Sequence, residues 1–366
     1  MTASAPSETW QADLQAWFEE QTASNAFRGR ALVWRDGAPI FSYAGGIAHR
    51  GQGIPVRGDT RFGVASISKM ATAIAALRLV EEGLLELDRP LVEVLPPEHR
   101  PTALTRDHTL HHLLSHTSGI ASYFDDDDPT LNSFTANWDR IPTYRARRPA
   151  DILPLFVDLP AVTAPGTTVA YNDAAFVLVG LLIEAATGRP WEELVTAEVF
   201  AKAGMTDTGV EALDDDPPRL ALGYLMDDGP ADGGRTNIFS VPASPMPDGG
   251  MITTPEDLAR MIDALLAGRL LSSELVVEMT RPQGPPSDAP EQWGYGCQLS
   301  VSEGRVVSIG HGGADPGVAA MLVHYLEPAV TVAVTCNQDR GAWAAVLRID
   351  EALGIEDPRA PTKGST

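Results

Sequence analysis

Short, β-branched runs sit at the two ends of this chain, and long apolar helical segments fill its middle. That distribution constrains the fold more than any other feature. Near the N-terminus, GRALVWRD and PIFSYAGG flank Asp36-Gly37, and an Asp-Gly between two such runs signals a hairpin. After residue 292, WGYGCQLSV, GRVVSIGHGG, GVAAMLVHYL and AVTVAVTCN follow one another across turn residues. Too little chain separates them for crossover helices, so these strands are expected to be antiparallel. The economical arrangement is an α/β chain of the α+β kind. One antiparallel sheet is assembled from both termini and flanked by helices, with a mostly helical domain inserted between. The expected boundaries are 1–65 with 286–366 for the discontinuous sheet domain, and 66–285 for the helical domain with the RFGVASISK helix at the interface. No internal repeat is present.

The helical segments carry their own punctuation. Trp10, Leu14, Trp17 and Phe18 recur at helical spacing behind Ser7, a candidate cap. RFGVASISKMATAIAALRLVEEG starts extended, turns helical near Ala65 and closes at Gly83. Asn172 or Asp173 is placed to cap AAFVLVGLLIEAATG, which ends at Gly188. Thr254-Pro255-Glu256-Asp257 supplies a cap, a proline and early acids for a helix that stops at Gly268. Residues 212–236 and 280–290 read as surface loops. The run Asp125–Asp128 reads as a solvated rim rather than a metal cluster, and the chain from 356 onward as a frayed tail.

Charge removes whole classes of function. There are 49 acidic and 27 basic residues, a formal net charge of −22. A chain so acidic does not neutralise phosphates, which argues against nucleic-acid binding, and it is repelled by anionic lipid. Cys297 and Cys336 are too few for a disulfide framework and read as buried strand residues. The longest apolar run, Ala174 to Ile183, is too short to cross a bilayer. The N-terminus lacks a basic region followed by an apolar one, so no membrane association and a cytoplasmic location are expected.

Lysine occurs only at 69, 202 and 363. Lys69 lies three residues after Ser66 in Ser66-Ile67-Ser68-Lys69, and the following segment is helical. Positions i and i+3 share a helix face, so the amine reaches the hydroxyl. A serine needs such an adjacent base to act as a nucleophile. The helix N-terminus adds N–H groups suited to a developing oxyanion. Alone, S-x-x-K is common. Its usual companions in class A β-lactamases and penicillin-binding proteins, S-D-N and K-T-G, are missing here.

The neighbourhood resembles the class C β-lactamase, D-alanyl-D-alanine carboxypeptidase and family VIII esterase group of penicillin-recognising serine hydrolases. Five stretches carry the resemblance, in order: RFGVASISKMATA, LHHLLSHTSGI, VAYNDAAFVLVGLLIEAATGRPW, GGMITTPEDLARMIDALLAG and IGHGGADPG. They cover about residues 10–352 and imply a β-lactamase/transpeptidase-like fold. By this resemblance Ser66 matches the acylated nucleophile and Lys69 the residue that takes or relays its proton. Tyr171 matches the tyrosine of Y-x-N. His311 matches the first position of the third motif, where many non-lactamase members carry H-x-G. Gly312 and Gly313 let that strand approach the substrate backbone, and the N–H groups of Ser66 and Ala314 form the oxyanion hole.

Two positions depart from the pattern. The Y-x-N asparagine is Asp173, which accepts hydrogen bonds but donates none. It is suited to an ion pair with Lys69, which raises the lysine pKa and shifts the base's work toward Tyr171. His311 replaces a lysine and is ordinarily uncharged at neutral pH. A fixed cation for a β-lactam carboxylate is thereby lost.

Other readings of single residues are plainer. His112 and His116 have a zinc-compatible i, i+4 spacing, but with His108 and His111 they read as capping and packing groups. No G-x-S-x-G pentapeptide exists, which disfavours an α/β-hydrolase. Trp293 and Tyr295 are expected to open a core strand, although the resemblance places such residues near the cleft, and Tyr123 and Phe124 are expected to line an acyl pocket. The function expected is a serine hydrolase forming an acyl-enzyme on Ser66, a carboxylesterase on small esters, with neither metal nor organic cofactor. Rivals are a D-amino-acid amidase or peptidase, an acyltransferase, or a catalytically silent binding module on the same fold. The expected partner is a small-molecule ester or amide, and oligomeric state has no signature in the sequence.

Overall fold

In the computed structural model, which describes residues 9–124, 134–225 and 234–356, Asp36 and Gly37 take φ values of 52° and 76°. Two positive φ angles are what a tight hairpin turn between right-twisted strands requires. The turn joins β1 (Gly29–Arg35) to β2 (Ala38–Gly45). Two small ribbons follow. β3 (Ile47–His49) pairs with β4 (Ile54–Pro55), and β5 (Phe62–Gly63) pairs with β6 (Ile252–Thr253). The late strands are β7 (Glu291–Trp293), β8 (Gln298–Ser302), β9 (Arg305–Asp315), β10 (Val318–Tyr325) and β11 (Val330–Cys336).

These form one sheet of seven strands in the order β2-β1-β11-β10-β9-β8-β7. Every neighbouring pair is antiparallel. The N-terminal hairpin closes on the last strand, with Gly29 opposite Cys336 and Trp34 opposite Thr331. One face carries Ala31, Val33, Val323, Val332 and Val334 against Leu14 and Phe18 of helix Trp10–Ala23 and Val346 and Ile349 of helix Ala342–Leu353. The other presents Leu32, Leu299, Leu322 and Ala333 to a larger core built from the middle of the chain. Because both faces are covered, β11 is buried at every position instead of alternating with solvent.

Helix Ser68–Glu81 and helix Asp173–Thr187 pack together at the centre of that larger core. The apolar run Ala174–Ile183 is wholly buried there. Among the described residues no single helix is long and apolar enough to cross a membrane. Asn172, not Asp173, is the cap of its helix and accepts from the Ala175 N–H at 2.8 Å. That leaves the Asp173 side chain free for other work. Thr254 caps helix Pro255–Leu266 as its sequence predicts. The first helix begins at Trp10 with Thr9 in the cap position. The Ser7 cap, the Asp125–Asp128 run and the tail from 357 lie outside the described residues.

Two features of the sheet set up the site. The pairing of β8 with β9 stops at Gln298 opposite Gly310. Residues 311–315 therefore bond only to β10, and their other edge faces the start of the Ser66 segment. A Cβ on Gly313 would lie 2.2 Å from the Val64 carbonyl oxygen. The sequence assigned this glycine to substrate approach; in the fold, its missing side chain brings the strand against the nucleophile segment. The second feature is the β5–β6 ribbon, which draws residues 248–251 alongside residues 64–68.

Candidate active site

Ser66 sits in a single 3-10 turn, Ala65–Ile67, that runs directly into helix Ser68–Glu81. Ala65 takes a φ of +45°, a left-handed conformation that costs a non-glycine residue about 1–3 kcal/mol. Its carbonyl is held twice, by the Ser68 hydroxyl at 2.7 Å and the Gly250 N–H at 3.2 Å. The Met251 N–H in turn donates to Ser68 Oγ at 2.9 Å. The ribbon thus holds the serine turn in place.

Lys69 is fully buried. Its Nζ donates to Ser66 Oγ at 3.0 Å, to Asp173 Oδ1 at 2.6 Å and to the Asp248 backbone carbonyl at 2.5 Å. An ammonium has three N–H groups, and all three are used. Burial by itself pulls the lysine pKa down. The surrounding Asp173, Tyr171 and Asp248 more than reverse this and hold it above its ordinary value. The resting lysine is therefore a cation that donates to the serine.

Tyr171 precedes the cap of helix Asp173–Thr187. Its ring centroid lies 4.9 Å from Lys69 Nζ, and its phenol is near enough to Lys69 and Ser66 for both to favour its ionised form. The tyrosine keeps 40% of its surface open, but that opening is onto the cleft. Desolvation raises the phenol pKa, with Asp173 adding to it, while the Lys69 charge acts in the opposite direction.

His311 is almost completely buried, and its Nδ1 lies 2.5 Å from the Gly312 carbonyl. A carbonyl only accepts, so Nδ1 carries the hydrogen. Burial, then the Lys69 charge, push the imidazole pKa down to about 3. The ring is neutral, and Nε2 bears a lone pair. Gly312, Gly313 and Ala314 continue from it along the open edge of β9, with Ala314 exposed. Ser66, Tyr171, Asp173 and residues 311–314 all line one cleft of about 1160 Å³. A hydroxyl hydrogen-bonded to an ammonium, with a phenol beside them, can move a proton to and from a reacting carbonyl.

The Beta-lactamase family model matches residues 14–355. The chain belongs to the beta-lactamase family. It is 26% identical to penicillin-binding protein 4* of Bacillus subtilis, over 94% of this chain and 76% of that one. It is 31% identical to esterase EstB of Burkholderia gladioli, over 79% of each chain. Among solved structures, a penicillin-binding protein from Bacillus halodurans superposes with a TM-score of 0.85 at 34% identity, covering 92% of this chain and 99% of that one. The fold is β-lactamase/transpeptidase-like, and the chain is a serine hydrolase of the β-lactamase and penicillin-binding-protein group.

Several residues of this beta-lactamase-family site carry no signal in the sequence reading. Asp248 lies in the loop before β6 and is 5% exposed. Its backbone holds Lys69, and its Oδ2 makes a very short hydrogen bond with the Tyr123 hydroxyl. Burial pushes its pKa up to about 6, against the pull of Lys69 and with the repulsion of Asp173. Tyr123 and Phe124 line the cleft as expected, but the Tyr123 hydroxyl is committed to Asp248.

Asp315 lies at the end of β9, two residues beyond the glycines. Burial, then repulsion from Asp173, push its carboxyl up to about 7 despite Lys69. Trp293 does not open a core strand. β7 is the sheet's edge, so its ring stands in the cleft, 5.2 Å from Tyr171 and 5.3 Å from His311 between centroids.

The histidine group is structural in a specific way. His112 closes a capping box with Thr109, and His111 bonds Tyr295 at 2.8 Å. His116 lies past the end of helix Leu110–Leu114, with a φ of 57°, so His112 and His116 do not share a helix face. His116 grips the Tyr171 segment instead. Its carbonyl accepts from Ala170 N–H at 2.9 Å and its Nδ1 from Asn172 N–H at 3.1 Å, with its ring 4.8 Å from that of Tyr171. Among the described residues no group of three or more His, Cys, Asp or Glu is placed to hold a metal ion. Cys297 and Cys336 are fully buried, and burial pushes the Cys297 thiol up to about 12.

Proposed function

We propose that this chain hydrolyses small carboxylic esters through an acyl-enzyme on Ser66. The observation that carries the reading is the Lys69 ammonium on Ser66 Oγ at 3.0 Å, with the Tyr171 ring centroid 4.9 Å from the same ammonium in the cleft that Ser66 lines. In the resting site Lys69 donates to the serine and cannot take its proton. The reactive form is one proton poorer, with the remaining proton shared between Lys69 and Tyr171. Ser66 Oγ attacks the carbonyl carbon, and its proton passes to the Tyr171–Lys69 pair. The backbone N–H groups of Ser66 and Ala314 receive the oxyanion. The carbonyl re-forms as the alcohol leaves with the proton returned by Tyr171. Water then repeats the sequence on the acyl-enzyme and releases the acid. Neutral His311 supports esters over β-lactams, since it supplies no fixed charge for a lactam carboxylate. The likeness to esterase EstB supports the same choice.

The test is hydrolysis of p-nitrophenyl butyrate by the native chain and by Ser66→Ala, assayed side by side. Clear turnover by the former with the latter at background is the expected result. A Ser66→Ala chain that retains turnover, or a native chain that neither turns over the ester nor takes a covalent label from an activated phosphonate, overturns the reading.

A further inference from the structure

On the described residues that line the cleft, the buried polar atoms left unsatisfied are hydrogen-bond acceptors. His311 Nε2 bears a lone pair because Nδ1–H is spent on the Gly312 carbonyl, and this buried atom has no partner. Asp248 is 5% exposed, and while its Oδ2 is taken by Tyr123, its Oδ1 has no partner. The Asp315 side chain is partly open to the cleft and makes no hydrogen bond or ion pair with any described residue. With Asp173, the cleft wall therefore carries three carboxylates on three separate elements: the start of helix Asp173–Thr187, the loop before β6 and the end of β9.

Among the described residues, Lys69 is the cation that offsets them. It is fully buried, and its three N–H groups are already committed. The charged neighbours of Asp315 are Asp173, Lys69 and Asp248, so repulsion outweighs attraction there. Arg340 is the one lysine or arginine among the described lining residues. A buried acceptor without a donor costs about 1–3 kcal/mol. A site that leaves two of them beside the reacting group, with a third, part-open acceptor at Asp315, is complementary to a ligand that brings donors and positive charge.

We propose that the ester or amide this site acts on carries a protonated amine within a few bonds of its scissile carbonyl, and that Asp315 is the carboxylate that receives it. The proposal rests on the hydrolase reading above and adds the substrate class. Strand geometry puts the charge at the right place. Gly313 touches the Val64 carbonyl, and Asp315 is two residues further along an edge that rises about 3.3 Å per residue. Asp173, Lys69 and Asp248 all act on its charge, so the carboxyl stands in the same polar cluster as the Ser66 machinery and lines the same cleft. The strongly acidic whole, with a net charge of −22, steers such a cation inward and a carboxylate away.

The test uses pairs that differ in charge and hardly in shape. Methyl alaninate, as each enantiomer, is compared at pH 7 with methyl isobutyrate, which puts the charge in the acyl half. Butyrylcholine is compared with 3,3-dimethylbutyl butyrate, which puts it in the alcohol half. The expected result is a kcat/KM at least tenfold higher for the charged member of one pair, and that pair identifies the half. In Asp315→Asn the ratio falls toward one, and in Asp315→Glu it is at least partly kept. Circular dichroism and the melting temperature report that both variants fold.

Ratios near or below one in the native chain for both pairs, or a ratio unmoved in Asp315→Asn, overturn the proposal. If p-nitrophenyl butyrate is meanwhile hydrolysed in a Ser66-dependent way, the hydrolase reading survives that failure. If no ester is, both fall together.

Discussion

The two walls of the cleft are built on opposite plans. On the helix wall, Lys69 has all three N–H groups engaged, Asp173 is paired, and Ser66 is held by the ribbon behind it. On the strand wall, His311 Nε2 and the Asp315 carboxylate meet no donor among the described residues. The first wall is preorganised for chemistry, in that nothing in it must turn or desolvate before a proton moves. The second is left incomplete by the protein itself, and completion is left to a ligand. The contrast separates residues that lower the barrier from residues that choose the substrate, and each change below tests on which side a residue belongs.

The largest effect is expected on the helix wall. Tyr171→Phe removes one oxygen from the proton relay and leaves the ring that packs on His116 and Trp293. The fold and KM should change little, while kcat should fall by about 10²–10⁴, the usual worth of a positioned acid–base group. Steady-state kinetics on p-nitrophenyl butyrate measure it. A loss under tenfold would make Lys69 the working base and remove Tyr171 from the chemistry. A rise in KM with kcat unchanged would move it to the substrate side of the comparison.

The two walls also differ in how far their sequence announces them. Ser66 and Lys69 are legible because i, i+3 spacing on a helix is a local rule. The antiparallel sheet is legible because turn residues and strand lengths leave no room for crossovers. Lys69 and Asp173 are 104 positions apart, and no periodicity joins them; only the family resemblance brought Tyr171 and Asp173 to the lysine.

Asp248 belongs to no periodic segment, and its role exists because a two-residue ribbon carries its loop to Ser66. Trp293 reads as core by composition, but its strand is the sheet's edge, which composition cannot express. His116 looks like a turn residue and is one, but the turn happens to grip the tyrosine. Pairing of distant elements decides these positions, and a single sequence records each partner separately.

A middle-sized effect tests how the helix wall is tuned. Asp173→Asn keeps an oxygen acceptor for Lys69 and removes the negative charge that does most to hold the lysine protonated. The reactive form is one proton poorer than the resting form, so activity should rise with pH as that proton leaves. Without the carboxylate the proton leaves more easily, and the rise should move to lower pH by about one unit or more. Unfolding does not confuse the reading. The folded pKa of Lys69 lies above its unfolded value near 10.4, so the stability contributed by the ion pair is fully present below about pH 10 and is lost only as pH climbs through the folded value. A kcat/KM profile between pH 6 and 9.5 is the measurement. An unmoved profile would mean that Asp173 serves packing and leaves the relay untouched.

The smallest effect is on stability, and it tests the claim that the strand wall is incomplete. Asp315 has a folded pKa of about 7, against about 3.9 for an unfolded aspartate. For a carboxyl raised in this way the sign is opposite to that of a paired acid. Relative stability is present below about pH 3.9 and is lost as pH rises through 7, where the ionised form is unwelcome in the fold. Asp315→Asn removes that penalty. The variant should melt higher than the native chain at pH 8 and the same at pH 4. Partial solvent contact limits the gain to about 2–4 °C. Thermal melts at the two pH values decide it. A variant less stable at pH 8 would show that the carboxylate already has a partner in the protein, and the strand wall would then be as complete as the helix wall. A gain confined to high pH means that the protein accepts a small, pH-dependent loss of stability to keep an unpaired charge beside its nucleophile, which is the pattern expected where binding, rather than folding, is what the carboxylate serves.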